Sequence, residues 1–174
     1  MSRAIEVRVA TPEDAWGIAR VRVRGWQAGY RGLMPQDYLD AMSIEANAER
    51  TRRWGWNAET SLHWVCLADG ETVGWTCAFC CARGDDLDDG TGEIVACYAV
   101  PEVWGLGIGH RMIEVATATL TDAGCTSIVL WVLESNERAQ RFYSRQGYEF
   151  DGGRKVENLV PGVELSSVRM RRSL

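Results

Sequence analysis

A mixed α/β fold, with one sheet carrying helices on both faces, is predicted from three features of the chain. Apolar runs of strand length occur at six to seven places, segments of helical period with recognisable caps separate several of them, and one strand, glycine loop, helix, strand unit requires a right-handed parallel crossover. The 174 residues, 46% hydrophobic, are enough for one domain over residues 1–174 with its own core and too few for two comfortable ones.

Residues 5–10 alternate apolar and polar side chains, the pattern of a half-buried strand. Thr11 then caps a helix, Pro12 suits its first turn, and Glu13 and Asp14 place negative charge at its positive end. That helix runs to about Gly29 with Ile18, Val21 and Trp26 on a buried stripe. Residues 35–42 and 45–56 read as short helices, the second with Arg50, Arg52 and Arg53 on a solvated face. Residues 62–68 and 72–81 flank Asp69-Gly70, a turn pair diagnostic of an antiparallel hairpin. The acidic stretch 84–90 fails the calcium-loop order, since Leu87 falls on an acid position and Ala96 replaces the closing glutamate, and it reads as a solvated loop.

Residues 93–100 are nearly continuous apolar after the first, as in a central strand covered on both faces, and Pro101 ends it. A helix over about 107–123 carries Ile108, Met112, Val115, Thr119 and Leu120 at helical spacing and stops at Gly124. Residues 127–133 form a strand, 137–146 a helix closed by Gly147, 148–150 the start of another strand, and 163–172 alternate and complete the sheet.

A net charge of -5 and a pI near 5.1 oppose a broad grip on nucleic acid or an anionic membrane, both of which demand a basic face. The chain has no apolar run of membrane-spanning length, and an acid stands where a signal peptide would be apolar, so a cytoplasmic protein is the expectation. Six cysteines invite a metal reading, but Cys77, Cys80 and Cys81 lie in a strand that turns Cys80 away from the other two, and His63 and His110 fit no ligand spacing. Buried, reduced thiols and no metal are the expectation.

The segment 103–113 reads Val-Trp-Gly-Leu-Gly-Ile-Gly-His-Arg-Met-Ile and joins a strand to a helix through Gly105, Gly107 and Gly109. Glycine lets the backbone approach a ligand closely, and a helix start offers free N–H groups with partial positive charge, so an anion is expected there. Tight packing is the competing explanation for the same glycines. A dinucleotide fingerprint needs a third glycine where Met112 stands and an early strand, and a nucleotide triphosphate loop needs a lysine that occurs only at Lys155. Both nucleotide readings fall.

What does fit is Trp104-x-x-Gly107-x-Gly109 opening a helix, followed over 136–148 by Asn-Glu-Arg-Ala-Gln-Arg-Phe-Tyr-Ser-Arg-Gln-Gly-Tyr. Over nearly its whole length the chain resembles the GNAT superfamily of acyl-CoA N-acyltransferases. Trp104 stands where that family usually has Arg or Gln, a departure that leaves the loop's backbone N–H groups untouched. The resemblance implies a central mixed, mostly antiparallel sheet of six to seven strands flanked by about four helices, with the parallel crossover at the glycine loop. It implies acetyl-CoA as acyl donor, its pyrophosphate on Gly105, Leu106, Gly107, Ile108, Gly109 and His110, and its pantetheine arm along Tyr98, Ala99 and Val100. A backbone N–H near Tyr98 or Ala99 would then stabilise the thioester oxygen.

Asn136 and Tyr143 are seven residues apart, two helical turns, and so share a face. By resemblance Asn136 contacts the pantetheine and Tyr143 protonates the departing thiolate; by spacing alone they are equally a helix cap and a core aromatic. An amine attacks a thioester only as the free base, so a group must take its proton. Glu93, at the start of the central strand, resembles the glutamate that many family members use directly or through water, and is otherwise a strand-end acid. Trp26 and Tyr30, four apart, resemble a subgroup's acceptor pocket and are equally core residues. The expected activity is acetyl transfer to a small primary amine, with no nucleic acid or membrane partner. A homodimer is left open, as are a peptide or lysine acceptor and a non-catalytic acyl-CoA sensor.

Overall fold

A computed structural model describes residues 4–54, 56, 61–84 and 86–174. Among them seven strands form one sheet: β1 (Ile5–Val9), β2 (Leu62–Ala68), β3 (Glu71–Phe79), β4 (Thr91–Ala99), β5 (Ser127–Leu133), β6 (Glu149–Val160) and β7 (Val163–Ser173), in the order β1-β2-β3-β4-β5-β7-β6. The β4–β5 pair is parallel and the other described pairs are antiparallel. Asp69 and Gly70, both at positive φ, make the predicted two-residue turn between β2 and β3.

The helices are α1 (Ala15–Gly29), α2 (Gln36–Asp40), α3 (Ile44–Arg52), α4 (Ile108–Asp122) and α5 (Glu137–Arg145). A single 3-10 turn, Pro12–Asp14, precedes α1, and Asp14 fixes it by accepting from the Thr11 N–H at 2.8 Å while paired with Arg8. The sheet carries helices on both faces. Gly74 meets Met112 of α4 on one face, and its neighbour Trp75 points the opposite way, where it stacks on Tyr98 against Gly25 of α1. The crossover from β4 to β5 runs through α4, which is why this pair alone among those described can be parallel.

Several sequence expectations are corrected. α3 ends at Arg52, short of the predicted Trp56, and Gly55 of that prediction lies outside the described residues. The buried stripe of α4 is Ile108, Met112, Ile113, Ala116 and Leu120, because its rows lie every fourth residue; Val115 and Thr119 fall at its margin. Strand β7 is buried from Ser167 through Met170 without alternation, since Val168 and Met170 pack into the core while Ser167 and Arg169, on the other face, are covered by Glu157, Asp86 and Asp151. The acidic loop is not simply solvated: Asp86 takes two hydrogen bonds from Arg169, at 3.0 and 2.7 Å, and Arg169 also grips Asp151 of β6. Asp85 lies outside the described residues.

Strand β3 stops before Cys80 and Cys81, and Cys81 is exposed rather than buried. Burial pushes the Cys77 and Cys97 thiols up to about 12, so both stay protonated at neutral pH. Brief iodoacetamide treatment at pH 7.5 is therefore expected to label Cys81 and leave Cys77 and Cys97 unmodified in the native protein, as read by peptide mass spectrometry; labelling of Cys77 ahead of Cys81 would contradict this packing.

Candidate active site

The site originates in a defect of the sheet. The β4–β5 ladder pairs only from Thr91↔Ser127 to Ile94↔Leu130. On its other side β4 slips register against β3 between Cys77 and Ala78, which leaves Val95 as an extra residue. Such a bulge bends its strand, and beyond it residues 95–99 run away from β5. The gap becomes a cleft of about 510 Å³, walled by this stretch of β4, the glycine loop and α5.

Main-chain direction along β4 decides which amides face the cleft. The Val100 N–H donates to Val73 O at 2.9 Å, toward β3. Because an antiparallel ladder alternates, the Tyr98 N–H faces β3 as well, and the N–H groups of Cys97 and Ala99 face the gap. Tyr98 and Ala99 line the cleft; Val100 is buried with its donor already engaged and does not.

The glycine loop divides its labour. Gly105 and Gly107 sit at φ of +81° and +79° with open space where a Cβ would be, so backbone conformation is what requires glycine there. Gly109 has no such φ; a Cβ on it would stand 2.9 Å from the Phe142 ring of α5, so the third glycine serves the packing of α5 on α4. Gly105, Gly107, Ile108, Gly109 and His110 line the cleft, and the first turn of α4 supplies N–H groups with no partner inside the helix. Leu106 does not join them: its N–H turns back to Val103 O and its side chain is exposed. Trp104 anchors the loop, its indole N–H donating to Ala99 O at 2.9 Å while the Arg138 guanidinium lies 3.5 Å above its ring.

On α5, Asn136 is the helix cap, its carboxamide oxygen accepting from the Ala139 N–H at 3.1 Å. It also borders the cleft, so the capping and ligand-facing readings coexist. Tyr143 lies at the inner end of the cleft in edge contact with Phe142 and Tyr148. Burial, reinforced by neighbouring Cys97, Tyr98 and Tyr148, pushes its phenol well above the usual tyrosine range. Arg138, Arg141 and Arg145 line the same cleft, a basic row the sequence reading did not single out. Their spacing of three and four on a helix was the available signal. Helix-start donors beside such a row suit the phosphates of a nucleotide carrier, and the unpaired edge of β4 suits an amide-bearing arm.

A second cleft of about 540 Å³ opens between α1, β3 and the β6–β7 hairpin. Tyr30, Tyr98, Trp131 and the bulged residues 94–96 border both clefts, so the two meet at the splay. Trp26 and Tyr30 pack edge to face at 5.1 Å, and the Tyr30 and Tyr98 hydroxyls are 3.5 Å apart. Trp26 is both core and lining, as each sequence alternative had it. Across the cleft, Trp75 stacks between Trp54 and Tyr98, with His63 on Trp54 at 5.1 Å. Burial lowers the His63 pKa, which favours the neutral ring. Trp54, His63 and Trp75 were not anticipated, because contact between them is made by sheet pairing and not by any one periodicity.

Glu93 also faces this second cleft, at 3% exposure. It is not a bare strand-end acid. Arg83 donates to it three times, from its backbone N–H and Nε to Oε2 at 3.1 Å each and from Nη2 to Oε1 at 2.9 Å. A carboxylate offers about four lone-pair directions, which leaves one on Oε1.

This arrangement has counterparts in known proteins. The model of the Acetyltransferase (GNAT) family matches residues 26–148, from Trp26 beside the second cleft to Tyr148 at the end of the α5 motif. The chain belongs to the GNAT family. It is 24% identical over 174 residues to a probable N-acetyltransferase of Mycobacterium tuberculosis, covering 96% of this chain and 92% of that one. It is 30% identical over 144 residues to an uncharacterized N-acetyltransferase of Archaeoglobus fulgidus, covering 82% and 91%. The fold matches the crystal structure of PaiA N-acetyltransferase from Thermoplasma acidophilum in complex with coenzyme A, with a TM-score of 0.72 and 21% identity over 98% of this chain and 99% of that one. As a GNAT member the protein is an N-acetyltransferase, and acetyl-CoA is the co-substrate of that family.

Proposed function

We propose that the protein transfers the acetyl group of acetyl-CoA directly to the primary amine of a small molecule. The meeting of the two clefts at the β4 splay carries this reading, since it lets a donor and an acceptor approach one point from opposite sides without a covalent enzyme intermediate. The acceptor-side cleft, at about 540 Å³, falls in the size range of small-molecule sites, which supports a small acceptor. When bound, acetyl-CoA supplies a thioester carbonyl open to aminolysis.

The residues of the chain then have separate tasks. The first turn of α4 and the arginines of α5 hold phosphates, while the Ala99 or Cys97 N–H donates to the carbonyl oxygen as negative charge builds there. The amine nitrogen bonds to the carbonyl carbon, the carbon–sulfur bond breaks with its electron pair on sulfur, and the sulfur takes the Tyr143 hydroxyl proton; the new amide nitrogen gives its extra proton to solvent, from which the phenolate is reprotonated. Glu93 accepts a hydrogen bond on its remaining Oε1 lone pair, from the ammonium or from a water, and passes the proton on to solvent. The six cysteines, all unpaired, fit a reducing compartment and support a cytoplasmic site of action.

Glu93→Gln keeps the shape of the side chain and removes its charge. It is expected to lower kcat/KM for the amine about 10- to 100-fold, with acetyl-CoA affinity unchanged by calorimetry. The activity itself is tested by release of free thiol from acetyl-CoA across a panel of primary amines. Acetyl-CoA binding without turnover on any of them would indicate a sensor, and turnover on peptides alone would indicate a protein acceptor.

A further inference from the structure

The acceptor-side cleft contains three cations and two anions, and the arrangement leaves one cation over. Arg83 is spent on Glu93, and Lys155 pairs with Glu157 at 2.8 Å. Arg22, on the α1 face that borders the cleft, makes no hydrogen bond or ion pair among the described residues, and its Nε is fully shielded without a partner. Its guanidinium instead lies 5.4 Å from the centroid of the Trp26 ring, one helical turn on. The indole N–H of Trp26 is likewise shielded and unpartnered. Burial depresses the Arg22 pKa, and nearby Arg50 adds to that effect.

A guanidinium that lines a cleft without an anionic partner, its Nε shielded, is an expensive arrangement, and contact with the face of a ring offsets only part of that cost. The group that completes it must bring acceptor oxygens, and beside an uncompensated guanidinium it should bring negative charge. One wall of the cleft is aromatic, with Trp54, Trp75 and His63, and suits an apolar or aromatic side chain.

We infer that the acceptor is a small amino acid-like molecule whose carboxylate is held by Arg22, and whose apolar side chain lies against the tryptophan wall. This rests on the proposed acetyl transfer to a small amine and narrows its substrate class. A polyamine fits poorly, since its second ammonium would enter the field of Arg22.

The test compares L-phenylalanine and L-methionine with their carboxamides, with phenethylamine and with spermidine, on the acetyl-CoA-saturated wild type and on Arg22→Met and Arg22→Lys. Two readouts are used: thiol release, and the additional thermal stabilisation that each compound gives. Wild type is expected to favour the carboxylates over their carboxamides by about 10- to 100-fold in kcat/KM. Arg22→Met should erase that preference by lowering kcat/KM for the carboxylates far more than for the carboxamides, and Arg22→Lys should restore part of it. Retained stabilisation by acetyl-CoA shows that the variants are folded. If no compound is turned over but carboxylates still stabilise wild type and not Arg22→Met, acetyl transfer fails and the carboxylate subsite stands. Equal response to carboxylates and carboxamides, in either readout, overturns the subsite, as does equal loss of both in Arg22→Met.

Discussion

Tyr143→Phe is expected to lower kcat about 10²- to 10³-fold, with KM for acetyl-CoA changed by less than about threefold, in steady-state thiol-release assays. The substitution removes one hydroxyl and keeps the ring that packs against Phe142 and Tyr148, so folding and carrier binding should survive. What is lost is the proton for the departing sulfur. The pH profile gives an independent check. A general acid works while protonated, and burial raises the Tyr143 phenol well above its ordinary value, so any alkaline decline caused by its ionisation moves upward. With a free amine of pKa about 10.4 as acceptor, wild-type kcat/KM should climb with pH and show no descending limb through about pH 10. A variant with wild-type kcat, or a wild-type profile that falls with an apparent pKa near 8, would remove Tyr143 from the reaction.

The second large effect is expected at Gly109. Placing valine there drives a branched side chain toward the Phe142 ring, which already stands 2.9 Å from the position of a Cβ. Overpacking of this kind costs about 1–3 kcal/mol, or a Tm loss of about 2–4 °C for each of them in a chain of this size. The catalytic loss should be larger than the stability loss suggests. Phe142 precedes Tyr143 on α5, and Arg138 lies on the same helix, so a displaced α5 misplaces both the proton donor and a phosphate-side cation. A fall in kcat/KM for acetyl-CoA of about 10²-fold is expected, the usual consequence of a displacement near 1 Å. Gly105→Ala, by contrast, meets no neighbour and carries only the strain of a positive φ, so its effect should be the smaller of the two. Equal, mild effects of both substitutions would show that α5 is not seated through Gly109.

Much of the fold was legible because local rules and tertiary packing agree along most of the chain. The Asp69-Gly70 turn, the caps at Gly124 and Gly147 and the β5 boundaries at Ser127 and Leu133 are fixed by backbone preferences acting over a few residues, and all appear where expected. The motif that names the family is similarly compact, since a helix start and its preceding loop are adjacent in sequence. What the sequence left open has a common cause. Val100 and Leu106 lie in the segments that wall the cleft, but whether an amide faces it depends on ladder parity and on a turn closing back on Val103, neither of which composition reports.

Glu93 illustrates the same limit. Its position at the start of a central strand could be read from sequence, whereas its triple hydrogen bond from Arg83 depends on how the chain returns after β3. The aromatic wall of Trp54, His63 and Trp75 and the unpaired Arg22 escaped for that reason too: each lies on a different element, and only sheet pairing and the seat of α1 bring them round one cleft.

By itself the sequence determined the element order and the glycine-loop helix start, because these follow from short-range periodicity and glycine stereochemistry, and its two motifs carried the resemblance to the family. Tertiary structure alone decided that β4 bulges at Val95 and parts from β5, that the three glycines split between loop conformation and helix packing, and that one arginine faces the acceptor side without a partner. These outcomes depend on contacts between residues far apart in the chain, where free energy is settled by shape and charge in three dimensions rather than by neighbours in sequence.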